Sequence, residues 1–151
     1  KLFGKKHTKH GHGEGASPTL HGDTLIVNWD HQEQSFVTAL DKHSGKEIWK
    51  KQREELTSWA TPIVVEHGGR QQVIVPGTGR MRAYDLKTGE VIWECAGLSA
   101  NICASPVAAD GMVYAGSSYV KRGFLAVNLA GAAGDITGVV GIGQDIGALA
   151  L

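Results

Sequence analysis

Short runs of apolar and β-branched residues alternate with polar turns along most of the chain. Thr24–Trp29 is followed by a polar loop and then by Ser35–Leu40, and the same order returns at Gln71–Pro76 and Arg80–Tyr84. Runs of this kind, bounded by Gly, Asp, Asn and Ser, are typical of strands and turns. No segment shows a sustained helical period of apolar residues. The pattern therefore predicts an all-β chain.

The predicted strands fall into groups of four. Asp110-Gly111, between two β-rich runs, is a strong hairpin signal and favours antiparallel pairing. The first group is Thr19–Leu20, Thr24–Trp29, Ser35–Leu40 and Lys46–Gln52. The second is Pro62–Glu66, Gln71–Pro76, Arg80–Tyr84 and Glu90–Cys95. The third is incomplete, with Pro106–Ala109, Met112–Gly116 and Phe124–Leu129.

A repeat of 44 residues accounts for this grouping. Ala16-Ser17-Pro18 recurs as Ala60-Thr61-Pro62 and again as Ala104-Ser105-Pro106. Four-stranded antiparallel units that repeat at this period are typical of the blades of a β-propeller. Stacking such units buries sheet faces that a single unit would leave partly apolar and exposed.

The repeat sets the expected boundaries. Residues 1–15 are predicted to be the end of a preceding blade or a linker, 16–59 the first blade, 60–103 the second, and 104–130 a partial third. Residues 131–151 are rich in glycine, which is costly to order, and are expected to be an irregular tail with one makeshift strand at most. Propellers have at least four blades, so we expect either an incomplete ring from a longer protein or assembly with further copies.

A second repeated phrase lies downstream of each Ala-Ser/Thr-Pro triplet. The two complete copies share Ala, Asp, Ser or Thr, Gly and Trp, at Ala39, Asp41, Ser44, Gly45 and Trp49, and at Ala83, Asp85, Thr88, Gly89 and Trp93. A third copy begins at Ala126 and Asn128 and then decays, with Gly131 and Ala132 at the Thr and Gly positions and Ile136 at the Trp position. The Asp and Gly are suited to a tight turn, and the Trp is placed to stack on the next blade and donate its N–H.

This phrase resembles the tryptophan-docking motif of bacterial PQQ-like (quinoprotein-type) β-propeller repeat proteins, which have seven or eight blades. The resemblance implies a periplasmic or cell-envelope protein whose partners are other proteins or further blades of the same propeller. This group of propeller proteins includes PQQ-dependent dehydrogenases and cofactor-free envelope proteins. We expect a non-catalytic scaffold or binding surface; the alternative is a fragment of a PQQ-dependent quinoprotein dehydrogenase, with PQQ possible in a full-length parent.

Few residues point to catalysis. Such dehydrogenases use metal-binding carboxylates and amides, an Asp base, an Arg, a Trp floor and often a vicinal Cys pair, which is missing here. Candidates by residue type are Asp23, Asp30, Glu33, Asn101 and Asp110. Each lies beside a turn, where Asp and Asn have structural reasons to occur, so no catalytic residue is predicted. By resemblance, the candidates for the central channel are Trp59, Arg80 and Asn101.

Other features favour structural interpretations. His7, His10, His12 and Glu14 lie close together, but in a Gly-rich run that favours a loop, so no metal site is predicted. Cys95 and Cys103 could form one bridge or be small buried residues, and we favour burial. Fifteen basic residues balance fifteen acidic ones, which argues against a nucleic-acid partner. No run of 18 apolar residues predicts a membrane span.

Overall fold

The computed structural model describes residues 12–32 and 34–129 and the backbone of 138–142. These residues contain β-strands and no helix. The strands are β1 (Thr19–His21), β2 (Thr24–Trp29), β3 (Phe36–Asp41), β4 (Glu47–Gln52), β5 (Ile63–His67), β6 (Arg70–Pro76), β7 (Arg80–Asp85), β8 (Val91–Ala96), β9 (Val107–Ala109), β10 (Met112–Ser117), β11 (Gly123–Asn128) and β12 (Gly138–Ile142). The predicted all-β class is confirmed, and β1 to β11 begin and end within one residue of their predicted bounds.

The strands form three antiparallel sheets with the same order. The first sheet is β1-β2-β3-β4, the second β5-β6-β7-β8 and the third β9-β10-β11-β12. Ala39 pairs with Trp49 in the first sheet and Ala83 pairs with Trp93 in the second, and a β-bulge follows the alanine in both. The repeat in sequence is therefore a repeat in register.

The third sheet departs from the predicted register at its last strand. Ala126 pairs with Gly141, again with a bulge after the alanine, so Gly141 takes the tryptophan position. The assignment of Ile136 to that position is wrong, because the connection from β11 to β12 is longer than the corresponding turns of the other sheets. Ile136, Gly131 and Ala132 lie outside the described residues. The strand β12 comes from the glycine-rich segment, for which one makeshift strand at most is expected.

Two apolar cores lie between neighbouring sheets. The first core joins residues of the first and second sheets: Ile26, Val37, Ala39 and Trp49 with Val73, Val75, Tyr84 and Leu86. The second core joins the second and third sheets: Ile74, Met81, Ala83, Trp93 and Cys95 with Val113, Ala115, Leu125, Val127 and Leu129. Successive strand residues point to opposite faces, so the second sheet is apolar on both of its faces. This explains why β6 contains the continuous apolar run Val73-Ile74-Val75.

Candidate functional site: contacts between sheets and an open cleft

The first repeated turn is closed by Asp41. Its Oδ1 accepts hydrogen bonds from the backbone N–H of His43 (3.2 Å) and Ser44 (2.7 Å) and from the Ser44 hydroxyl (2.6 Å). The Ser44 hydroxyl bond is the main reason that the pKa of Asp41 lies below its usual value. Gly45 follows with φ 68° and donates its N–H to the Asp41 carbonyl at 2.8 Å. Positive φ favours glycine here.

The second repeated turn has the same construction. Asp85 Oδ1 accepts the N–H of Lys87 and of Thr88, both at 3.0 Å, and Gly89 has φ 70°. Arg70 Nε donates to the other oxygen of Asp85 at 2.9 Å. Burial works to raise the pKa of Asp85, but the Arg70 bond and the turn amides outweigh it and lower the pKa.

Trp49 reaches across from the first sheet to the second turn. Its indole Nε1–H donates to the Leu86 carbonyl at 2.8 Å, and its ring stacks on Tyr84 with centroids 6.4 Å apart. A Cβ added to Gly89 would lie 2.6 Å from Cδ2 of the indole. Gly89 is therefore required both by the turn and by the ring that lies on it.

Trp93 shares the register and the burial of Trp49 but has a different hydrogen-bond partner. Both side chains belong to residues that are 7% exposed. The Trp93 Nε1–H donates to Gln72 Oε1 at 2.8 Å, within its own sheet. Its ring belongs to the core shared with the third sheet.

The Ala-Ser/Thr-Pro triplets form a ladder between the sheets. The backbone N–H of Ser17 donates to Thr61 Oγ1 at 3.0 Å, and the N–H of Thr61 donates to Ser105 Oγ at 3.0 Å. The hydroxyls of Thr61 and Ser105 thus accept from the equivalent residue of the preceding repeat. This accounts for Ser or Thr at the middle of the second and third triplets.

A buried ion pair of the first repeat contacts the second sheet through Tyr84. Arg53 Nε and Nη2 donate to the two oxygens of Asp30 at 2.8 and 3.1 Å, and neither side chain is exposed. Ser58 Oγ donates to Asp30 Oδ2 at 2.7 Å, and Arg53 Nη1 donates to Tyr84 Oη at 2.8 Å. Burial works to lower the pKa of Arg53, but Asp30, together with Tyr84 and Glu55, outweighs it and the pKa is raised.

A second group of charges continues from this pair. Arg82 forms ion pairs with Glu55 and, through Nε at 3.1 Å, with Glu94. Burial raises the pKa of Glu55, although Arg53 and Arg82 favour its charged form. Glu55 Oε2 lies against Gly77 and has no hydrogen-bond partner among the described residues.

Sequence reasoning missed Arg53, Glu55 and Arg82. They lie beside strand ends or on a strand, where charged residues usually face water. The alternation along β7 offered a weak signal, because Arg82 falls on the strand face that carries Tyr84 and Leu86.

Trp59 and Asn101 lie together on an open cleft of about 770 Å³. The Trp59 N–H donates to the Ile102 carbonyl at 2.7 Å and its indole Nε1–H donates to Gly13 O at 2.8 Å. Asn101 is held at φ 56°. The lining includes His12, Trp59, Asn101, Cys103, Ser117 and Tyr119.

Arg80 is not part of the cleft lining. Its Nη1 donates to Glu94 Oε1 at 3.0 Å, on the outer strands of the second sheet. Of the three channel candidates, the structure therefore brings together Trp59 and Asn101.

The remaining candidates are placed at turns or on the surface. Asp23 pairs with Lys42 at 2.7 Å, a contact that lowers the pKa of Asp23, and Asp110 occupies a turn with φ 51°. Cys95 is buried, but Cys103 is exposed, so the expectation that both are buried is wrong for Cys103. Cys103 lies in the segment before β9, which leaves its side chain at the open cleft. Glu33, His7 and His10 lie outside the described residues.

In the part of the chain that the structure describes, no group of three or more His, Cys, Asp and Glu side chains is placed to hold a metal ion. The same residues include no helix that is long and apolar enough to cross a membrane.

Comparison with known proteins identifies the family. The family model PQQ_2, described as outer membrane protein assembly factor BamB, matches residues 6–137. The chain belongs to this family. The BamB protein of Francisella salina is 28% identical over 98 residues, which is 65% of this chain and 17% of that protein. Methanol dehydrogenase subunit 1 of Methylorubrum extorquens AM1 is 26% identical over 88 residues, covering 54% of this chain and 13% of the enzyme.

Similar solved structures give the architecture. BamB from Moraxella catarrhalis matches with a TM-score of 0.64 and 24% identity over 84% of this chain and 40% of its own. Quinohemoprotein alcohol dehydrogenase from Comamonas testosteroni matches with a TM-score of 0.60 and 22% identity over 77% of this chain and 19% of its own. The three sheets are thus PQQ-like propeller blades. The chain spans less than a fifth of the curated relatives.

Proposed function

We propose that this PQQ_2 chain is a non-catalytic segment of a larger propeller that serves as a scaffold or binding surface in a bacterial cell envelope. The observation that carries the proposal is that Asp30, Glu55 and Asp85 already interact with arginines of the protein. Asp30 and Glu55 are each paired with a buried or half-buried arginine, and Asp85 closes a turn while pairing with Arg70. A general base must be free to reach substrate, and these groups are held instead by neighbours within the protein.

The repeated motif supports the scaffold role. In this proposal Ala39, Asp41, Ser44, Gly45 and Trp49, with Ala83, Asp85, Thr88, Gly89 and Trp93, dock each blade on the next. The bond from Trp49 to Leu86 supports this for the first pair of blades. The packing of Trp93 in the second core supports it for the second pair, without a hydrogen bond to the third blade.

The proposed location and partners come from the relatives. One relative is named an outer membrane protein assembly factor, and that name assigns the relative a role in assembling outer membrane proteins. The coverage of 40% of the BamB chain supports further blades beside these three. Protein partners, rather than nucleic acid, suit a chain with fifteen charges of each sign.

The second candidate function is a fragment of a PQQ-dependent dehydrogenase. The identity to methanol dehydrogenase subunit 1 favours it. The residues of the cleft do not fit PQQ with its metal, however. They offer an imidazole, an amide, hydroxyls and a thiol, but no carboxylate among the described lining residues. Hard cations prefer oxygen ligands that include carboxylates.

Titration of the full chain with PQQ and Ca²⁺ tests the scaffold proposal. Trp59 lies on the cleft, so tryptophan fluorescence and calorimetry both report binding there. We expect no saturable change and no PQQ-dependent dye reduction. Saturable binding that is lost in Asn101→Ala, but kept in the distant control Asp110→Asn, would overturn the proposal in favour of the dehydrogenase.

A further inference from the structure

The cleft continues into an exposed apolar loop. Tyr119 lines the cleft and is 67% exposed, and its neighbour Val120 is 75% exposed. Both lie in the connection between β10 and β11. Large apolar side chains exposed side by side at the edge of a cleft are a feature of interaction sites rather than of ordinary surface.

The surface of the cleft is mostly apolar with a few polar groups, and the loop is basic. Lys121 and Arg122 directly follow Val120 and are exposed, whereas the described lining of the cleft contains no carboxylate. Basic and acidic residues balance over the whole chain, so the bias is local. Glu14 is the one acidic residue in the segment that leads from His12 into β1.

The shape favours an extended peptide over a compact small molecule. A drug-sized ligand normally has most of its surface buried, whereas this cleft is open to solvent. The amide of Asn101 can both donate to and accept from a peptide backbone. Trp59 and Tyr119 supply aromatic surface of the kind that dominates peptide recognition.

We propose that the cleft and the loop 118–122 bind an extended peptide segment of a partner protein, with an apolar side chain in the cleft and a flanking carboxylate against Lys121. This inference rests on the proposed scaffold function and gives the chemistry of its partner. The apolar anchor supplies affinity, and the flanking charges supply selectivity and speed of association.

Calorimetry with two peptides of equal length tests this on the full chain. One alternates Asp with Phe and Leu, and the other has Lys in place of Asp. We expect the Asp peptide to bind at least about 10-fold more tightly, and its affinity to fall as salt is raised. Tyr119→Ser should weaken it about 10-fold or more, and Lys121→Glu about 3- to 10-fold with a smaller salt effect.

Matched controls lie at the opposite end of the strands. Val91→Ser and Lys87→Glu change an exposed apolar and an exposed basic residue there and should leave binding unchanged. Alkylation of exposed Cys103 should also weaken binding by filling the cleft, while buried Cys95 stays unreacted. In Cys103→Ser the same treatment should have no effect.

Three results would overturn the inference. The first is equal affinity for the two peptides, and the second is binding that is unchanged in Tyr119→Ser. The third is a change of oligomeric state in Tyr119→Ser by analytical ultracentrifugation, which would assign the loop to a second copy of the chain. None of these depends on the PQQ titration, so failure here and failure of the scaffold proposal are separate outcomes.

Discussion

Gly45 and Gly89 offer a controlled test of the contact between the first two blades. They occupy the same motif position, with φ 68° and 70°, so alanine meets the same backbone strain at both. That strain costs about 1–2 kcal/mol. The difference lies in their surroundings. A Cβ at Gly45 would meet nothing within 4 Å, whereas a Cβ at Gly89 would lie 2.6 Å from Trp49 Cδ2 and 2.7 Å from Cε3.

Gly89→Ala must therefore displace the indole as well as strain the turn. Overpacking of this kind costs about 1–3 kcal/mol. We expect the free energy of unfolding to fall by about 1–3 kcal/mol more in Gly89→Ala than in Gly45→Ala. Urea unfolding followed by far-ultraviolet circular dichroism measures both values without relying on tryptophan emission.

A double mutant locates the source of the difference. In a Trp49→Val background, Gly89→Ala should cost no more than Gly45→Ala, because the ring that it displaces is gone. Equal costs of the two alanine substitutions in the wild-type background, or an excess cost at Gly89 that persists without the indole, would refute the reasoning.

Three further predictions concern the other contacts between blades. Thr61→Val should lower the free energy of unfolding by about 0.5–1.5 kcal/mol by removing the acceptor for the Ser17 N–H. Thr61→Ser should retain most of that stability in the same denaturation assay. Arg53→Met should cost about 3–5 kcal/mol because it leaves Asp30 charged and buried, and Asp30→Leu combined with Arg53→Met should recover much of this loss if the cost is that of an unpaired charge. Glu55 has a raised pKa when folded, so its contribution to stability falls as pH rises from the unfolded value near 4.5 toward the folded one. The free energy of unfolding of Glu55→Gln minus that of wild type should accordingly increase with pH from about 4 to 7, and a flat or falling difference would contradict the assignment.

The sequence predicted the features that depend on local pattern. Alternating apolar residues located β1 to β11, and the 44-residue period located equivalent positions such as Ser17 and Thr61. The sequence did not predict that the Trp49 indole N–H donates to Leu86 in the next blade, whereas the Trp93 indole N–H donates to Gln72 in its own sheet. That choice depends on whether Gln72 or a carbonyl of the next blade is within reach, which a single strand cannot reveal.

The missed features share a cause. Arg53 and Asp30 are far apart in sequence, and each alone resembles a solvated surface charge. The register of the first sheet brings them together, because Trp29 pairs with Phe36 and Phe36 pairs with Gln52, and Tyr84 of the second sheet lies against the pair. Likewise, the place of Gly141 opposite Ala126 depends on the length of a hairpin connection, which motif spacing assumed to be constant.

The bond between Trp49 and Leu86 tests the central claim that neighbouring blades are joined by an indole at their outer strands. Nuclear magnetic resonance can detect scalar coupling through a hydrogen bond, from the Trp49 indole nitrogen to the Leu86 carbonyl carbon. We predict a cross-peak between these two nuclei and slow exchange of the indole proton with solvent. An absent cross-peak, together with exchange as fast as that of free indole, would contradict the account.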